Sequence, residues 1–343
     1  MLLMIMIILL IFTVIVVAHE WGHFITAKKC GILVYEFAVG MGPMLWSKQI
    51  GETQYSIRLL PIGGYCRMEE AGEDFNPRGM SSKKPWQKLL VVSAGAIMNF
   101  ILAWFLLSGI VSYMGVSSNV IKEVEMNSPA MEAGLQQGDR IIQIDGHKVS
   151  HLGELKPYLG KEEKSYTLTI KRAGKKMEVP IRSKQMEKEQ DPRFGFSVKL
   201  SHFNIVYNIK MGFTLMIQVI KMVWDSLVGL ISGAIGFDNV AGIVGVVDAG
   251  SQVWNNSMET GGLQLAVLNM IYLAALLSAN LGVMNLLPIP ALDGGRIFFV
   301  LIEMIRGKAI PAEKEGAVHF IGMILLMLLT VVVLYNDIMR LRG

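Results

Sequence analysis

Residues 1–24 read "MLLMIMIILLIFTVIVVAHEWGHF". The run before Ala18 carries no charge, and it ends on His19, Glu20 and His23. A helix needs about 20 apolar residues to cross a bilayer core, so this is a membrane-length segment with three polar groups at its end. Such groups are costly in lipid and mark a function when they are kept there. No Lys or Arg precedes the run and no small-residue cleavage site follows it. The expectation is therefore a retained span rather than a signal peptide.

The rest of the chain fits a membrane setting. Of 343 residues, 52% are hydrophobic and 17% charged, and the mean hydropathy of +0.45 is too high for an ordinary soluble protein. The net charge of +4 is too small to suggest a nucleic-acid partner. Two cysteines, Cys30 and Cys66, exclude a disulfide framework, and neither lies in a CxxC pattern. Four segments read as spanning helices, near 2–24, 89–114, 263–287 and 317–335. A fifth apolar stretch, 205–236, carries Lys210, Lys221 and Asp225 and reads as an amphipathic helix at the outer surface, the opposing reading being a fifth span that needs a short partner crossing in "VAGIVGVVDAG" (240–250). Lys28, Lys29, Lys48, Arg58, Arg67, Arg78, Lys83 and Lys84 make loop 25–87 basic, and hence cytoplasmic by the positive-inside rule.

His19 and His23 are four residues apart, one turn apart on one helix face. That spacing lets two imidazoles hold one Zn²⁺, while the adjacent Glu20 can take a proton from water. A catalytic zinc needs a third protein ligand. Asp293, in "NLLPIPALDGGR" (285–296), is the best candidate, because Pro288, Pro290 and Gly294–Gly295 interrupt helix just after an apolar span. Irregular backbone at membrane depth is tolerated where it is buried in protein or lines a cavity. His319 and Asp337, on the last span, are rivals that read as interfacial.

Between the second and third spans, "SPAMEAGLQQGDRIIQIDG" (128–146) reads as loop, short helix, turn and strand. "SYTLTIKRAGKKMEVPIR" (165–182) reads as a hairpin. The block 115–200 resembles a PDZ domain, a fold that captures peptides by strand addition. With HExxH in the first span and NxxPxPxLDGG after a later one, the whole chain resembles the site-2 protease family of intramembrane zinc metalloproteases. The likeness is to its bacterial regulator-of-sigma-factor branch. "GAIMN", Gly95 to Asn99, matches that family's GxxxN motif, with Ala96 where a proline is usual.

The resemblance implies an α-helical polytopic membrane protein of about four transmembrane helices, with a membrane-associated β-hairpin and one inserted β-rich PDZ domain. The division is 1–114, 115–200, 201–262 and 263–343. It implies zinc on His19, His23 and Asp293, and Glu20 as the catalytic base. Asn285, Pro288, Pro290, Gly63, Gly64 and Asn99 are the candidates for substrate contact. The implied partners are single-span membrane proteins, such as pre-trimmed anti-sigma factors and signal-peptide remnants, together with the lipid bilayer and peptides at the PDZ domain. The implied location is the bacterial cytoplasmic membrane, with the zinc site toward the cytoplasm and the PDZ domain outside. Two alternatives are a membrane-tethered zinc protease acting on soluble proteins and a non-catalytic zinc-bearing PDZ scaffold. An intact Glu20 argues against the scaffold, since a structural zinc needs no base.

Overall fold

The computed structural model describes residues 2–68, 77–149, 155, 158, 163–184, 193–201, 205–236 and 240–342. In chain order the elements are α1 (Leu2–Lys29), β1 (Val34–Ile50), β2 (Thr53–Met68), α2 (Pro85–Met114), β3 (Val116–Val124), α3 (Pro129–Glu132), β4 (Arg140–Ile144) and β5 (His147–Lys148). They continue with β6 (Ser165–Arg172), β7 (Lys175–Arg182), β8 (Phe196–Ser201), α4 (Ile205–Ile231), α5 (Ile243–Leu286), α6 (Asp293–Arg306) and α7 (Ala312–Arg342). Two compact units result: 1–110 with 209–343, and 111–208.

In the first unit α1, α2, α4, α5 and α7 are long and apolar enough to cross a membrane. The expected spans fall in α1, α2, the second leg of α5 and α7, and α4 is a fifth helix of sufficient length. Helix α1 continues past the expected end near residue 24, because no breaker occurs before Gly31, whose φ of 67° ends it. The HExxH motif therefore lies inside a helix and not at its tip. Helices α1 and α2 touch backbone to backbone: a Cβ on Gly22 would collide with the Ala94 carbonyl. Small residues permit such approach between apolar helices. Helix α4 packs Met216 and Val219 against Ala103 and Leu107 of α2 and Ala275 and Ala279 of α5.

Helix α5 is two legs folded at Gly262, where φ is 67° and ψ is −165°. On a straight helix residues 250 and 273 would stand about 34 Å apart. Instead a Cβ on Gly250 would lie 3.5 Å from Leu273, and Asn269 Nδ2 donates to Ser257 Oγ at 2.8 Å. The legs 243–261 and 263–286 are thus antiparallel.

Strands β1 and β2 pair antiparallel, but they also fold over one another. Phe37 pairs with both Tyr55 and Cys66, Ala38 with Ser56 and Tyr65, and Val39 with Ile57 and Gly64. The result is four rungs in the order 44–50, 53–58, 34–39 and 64–68, with 64–68 on one edge. Buried Glu36 clamps the last three of them: its carboxylate accepts from Ser56 Oγ (2.6 Å), Arg58 Nη2 (2.7 Å) and Tyr65 OH (2.8 Å). A buried charge is tolerable when it is paired and hydrogen-bonded in this way. Met41, Leu45, Trp46 and Leu60 at the far end are exposed, as a membrane-associated hairpin requires. Of the basic loop 25–87, residues 69–76 lie outside the described residues.

The second unit is a six-stranded sheet in the order β7–β6–β4–β3–β8, with β5 on β4. Its core gathers Ile121, Leu135, Ile141, Ile144, Leu168, Ile170 and Phe194. Strands β6 and β7 turn at Ala173–Gly174, within the expected hairpin, both at positive φ. Ser128 caps α3, accepting from Met131 N, with Pro129 at the first helical position. Asp139 is fully buried and takes a two-pronged bond from Arg172, Nε to Oδ1 at 2.7 Å and Nη2 to Oδ2 at 2.6 Å. Burial alone would raise its carboxyl pKa, but the Arg172 bonds and the Gln136 N–H outweigh it and hold the group below its ordinary value.

Candidate metal centre

Three elements bring the polar groups to one point. Helix α1 presents His19 and His23 on one face. Helix α2 passes beside them at Gly95, where a Cβ would lie 2.7 Å from His19 Nε2. The turn after α5 delivers Asp293 as the first residue of α6, where the helix N-terminus favours an anion. That turn is as tight as its glycines allow: a Cβ on Gly294 would collide with the Leu287 carbonyl, and one on Gly295 would lie 2.7 Å from Ile289 O. An ion pair between Lys88 of α2 and Glu303 of α6, at 2.9 Å, holds α6 in place.

Asp293 Oδ2 lies 3.0 Å from His19 Nε2 and 3.2 Å from His23 Nε2, and the two nitrogens are 3.1 Å apart. Tetrahedral zinc with bonds of about 2.0–2.1 Å sets its donors roughly 3.3 Å apart. The donor set thus fits zinc in both type and spacing. Asp293 Oδ2 is also buried and accepts no aligned hydrogen bond, so its lone pairs are left to a cation. Among the described residues this is the one cluster of three His, Cys, Asp or Glu side chains able to hold a metal.

Neighbouring groups fix the imidazoles. His23 Nδ1 donates to Val91 O at 2.8 Å, which leaves the Nε2 lone pair free. The buried Asn99 carboxamide lies 3.2 Å from His19 Nδ1. With Oδ1 turned toward the ring it accepts the Nδ1 proton and frees Nε2 in the same way. Ser278 of α5 donates to Asn99 O at 2.8 Å and ties this turn of α2 in place. Glu20 lines the same cavity, and its Oε2 accepts from Cys66 N on the edge rung at 3.0 Å.

A cavity of about 160 Å³ opens here, lined by His19, Glu20, His23, Cys66, Met68, Val91, Asp293 and Arg296, among others. The site residues expected from sequence fall into three groups. His19, Glu20, His23 and Asp293 line the cavity, and Asn99 and Asn285 both contact His19, Asn99 at Nδ1 and Asn285 Nδ2 at 3.5 Å from Nε2. Gly63 and Gly64 lie on β2 against Val16 and Val17 of α1, Gly64 being the first residue of the rung that holds Glu20. Pro288 is exposed at the turn, and Pro290 packs on Gly322 of α7. One contributor had no signal in the sequence: the Cys66 N–H, because a backbone donor carries no residue code; Arg296, which also lines the cavity, ends the motif "NLLPIPALDGGR" but is not singled out by it.

The model of peptidase family M50 matches residues 7–329. The RasP zinc metalloprotease of Shouchella clausii is 33% identical, covering 96% of this chain and 97% of its own. The regulator of sigma-W protease RasP of Bacillus subtilis is also 33% identical, covering 97% of each chain. The CPE1693 protein of Clostridium perfringens is 36% identical, covering 96% of this chain and 97% of its own. A solved PDZ domain, from the SdrC-like protein of Listeria innocua, is similar over 26% of this chain and 99% of its own length. It shows 25% identity and a TM-score of 0.22, which by itself assigns no fold. With a family model spanning nearly the whole chain, and relatives that align end to end, this multi-pass membrane protein belongs to peptidase family M50, the site-2 type zinc metalloproteases.

Proposed function

We propose that this enzyme cuts transmembrane segments of single-span membrane proteins, with His19, His23 and Asp293 as zinc ligands and Glu20 as the general base. The observation that carries the reading is the convergence of three lone-pair donors within apolar, span-length helices. Zinc, when bound, supplies the Lewis acidity that makes water nucleophilic near neutral pH. Glu20 then accepts the proton of the attacking water and returns it to the leaving amine nitrogen. The Cys66 N–H holds the carboxylate of Glu20 toward the cavity. The edge rung 64–68 offers backbone donors and acceptors to a substrate whose helix has unwound, and Asn285 offers its amide. Gly63 and Gly64 let that rung pass close to α1, while Pro288 and Pro290 shape the turn that carries Asp293.

The natural substrates we propose are trimmed anti-sigma factors and signal-peptide remnants. The sigma-W role named for the Bacillus subtilis relative supports the first. The basic residues of loop 25–87 support a zinc site toward the cytoplasm and a β-rich unit outside it. The test compares intact protein with Glu20→Gln on a single-span reporter in detergent or liposomes. Zinc content should stay at about one ion per chain, while turnover falls at least about 100-fold. Near-normal cleavage by the zinc-loaded variant would remove Glu20 from the mechanism.

A further inference from the structure

Outside the cavity, α7 packs closely on the turn that carries Asp293. Glu315, His319 and Gly322 share one face of α7, by their spacing of four and three. That face lies on residues 290–295. A Cβ on Gly322 would lie 2.7 Å from Pro290 O, and one on Gly295 would lie 3.2 Å from His319 Cε1. Between them, His319 Nδ1 accepts the Ala291 N–H at 2.9 Å.

Ala291 is the anomaly that this bond explains. Its φ is 75°, a left-handed conformation that a residue with a Cβ adopts only when its surroundings impose it. The nearby amides of Ile289, Leu292 and Gly295 are satisfied within the turn, by Leu287 O, Ile289 O and Leu292 O. The acceptor for Ala291 comes from another helix. Because Nδ1 accepts, the imidazole proton sits on Nε2. That atom is buried without a hydrogen-bond partner, the Glu315 carboxylate lying 3.9 Å away, so the bond from Ala291 N–H is the one that fixes the ring. Asp293 follows two residues later and must place Oδ2 within 3.2 Å of two imidazole nitrogens.

We propose that His319 is a positioning residue for the metal ligand Asp293: through the Ala291 N–H, the last helix sets the conformation of the turn and hence the reach of the carboxylate. This rests on the reading of Asp293 as a ligand. It assigns His319 no contact with zinc or substrate.

Two substitutions separate the acceptor from the ring. His319→Phe keeps a ring against Phe299 (centroids now 5.6 Å apart) but removes the acceptor. His319→Asn loses the ring but puts Oδ1 where Nδ1 stands. Full-length protein is purified in detergent, stripped of metal, and titrated with zinc against a chromophoric chelator. Its cobalt form is examined by visible absorption, and thermal unfolding of each metal-free form, on the monodisperse fraction, reports folding. His319→Phe should weaken zinc binding about tenfold and alter the cobalt ligand-field bands, while His319→Asn stays within about twofold of wild type with unchanged bands. Equal zinc affinity and equal cobalt bands for His319→Phe and wild type would overturn the assignment. So would a His319→Asn protein as impaired as His319→Phe when the metal-free forms unfold alike, because the ring and not the acceptor would then matter. Wild-type protein that binds no zinc would instead overturn the ligand reading beneath it.

Discussion

Two glycines on one helix make the steric demand of the site measurable. Gly95 is a residue whose missing side chain matters more than most side chains present. Any Cβ there enters the space of both imidazoles, and neither ring can retreat. His23 is bonded to Val91 O, and His19 abuts Asn99. Gly95→Ala should therefore cut zinc affinity by at least about tenfold, since ligand orientation is what the surrounding groups preserve. Gly109, on the same helix, is exposed with nothing within 4 Å of a built Cβ. Gly109→Ala should keep zinc and raise stability by about 0.5–1 kcal/mol through helix propensity. Equilibrium zinc titration and thermal unfolding of the two variants check both halves. Equal zinc affinity in Gly95→Ala and wild type would sink the argument from space.

At the scale of elements, each functional group is held by a neighbour distant in sequence. The edge rung of β2 holds Glu20, the Glu36 cluster holds three rungs together, and Lys88–Glu303 holds α6. In the second unit the same role falls to Asp139 and Arg172, which join the turn before β4 to the end of β6. Asp139 has a lowered pKa in the fold, so its contribution is complete above the unfolded carboxyl value of about 3.9 and is lost as pH falls through the lower folded value. Asp139→Asn should remove that acid-dependent step. Because it breaks a buried pair, it should cost about 3 kcal/mol near neutral pH. Hydrogen–deuterium exchange of peptides from 116–201 in the intact protein, corrected for intrinsic rates from about pH 6 to pH 3, reads both effects. Exchange protection in wild type that is flat with pH while Asp139→Asn is unchanged would refute the linkage.

At the scale of the whole molecule, orientation in the membrane is set by the charge flanking the spans. Charge asymmetry argues for a cytoplasmic loop after α1. Lys29 is exposed at the end of that helix. In a background where Cys30 and Cys66 are replaced, Lys29→Cys should react with an impermeant thiol reagent only after the cells are opened. Ready labelling of intact cells would invert the orientation. The antiparallel legs of α5 bear on the same question, because a helical segment returns before the leg that leads to Asp293.

The sequence by itself determined the chemistry. His19, Glu20 and His23 are legible because helical spacing is local and fixes which side chains share a face. The prolines and glycines around Asp293 are legible because they limit the backbone wherever they stand. The hairpin over 165–182 and the strand Arg140–Ile144 were likewise readable from turn residues and alternation. What only the tertiary structure decided are contacts made by groups without a residue signature. The Cys66 N–H on Glu20 is one, and the Ala291 N–H on His319 is another. His319 looked interfacial on its own span because its partner lies on a different helix. The doubling of α5 at Gly262 is of the same kind. Gly261 and Gly262 let the chain break there and the span begin at 263, but only the packing of Gly250 on Leu273 and the Asn269–Ser257 hydrogen bond fold the two legs back on each other.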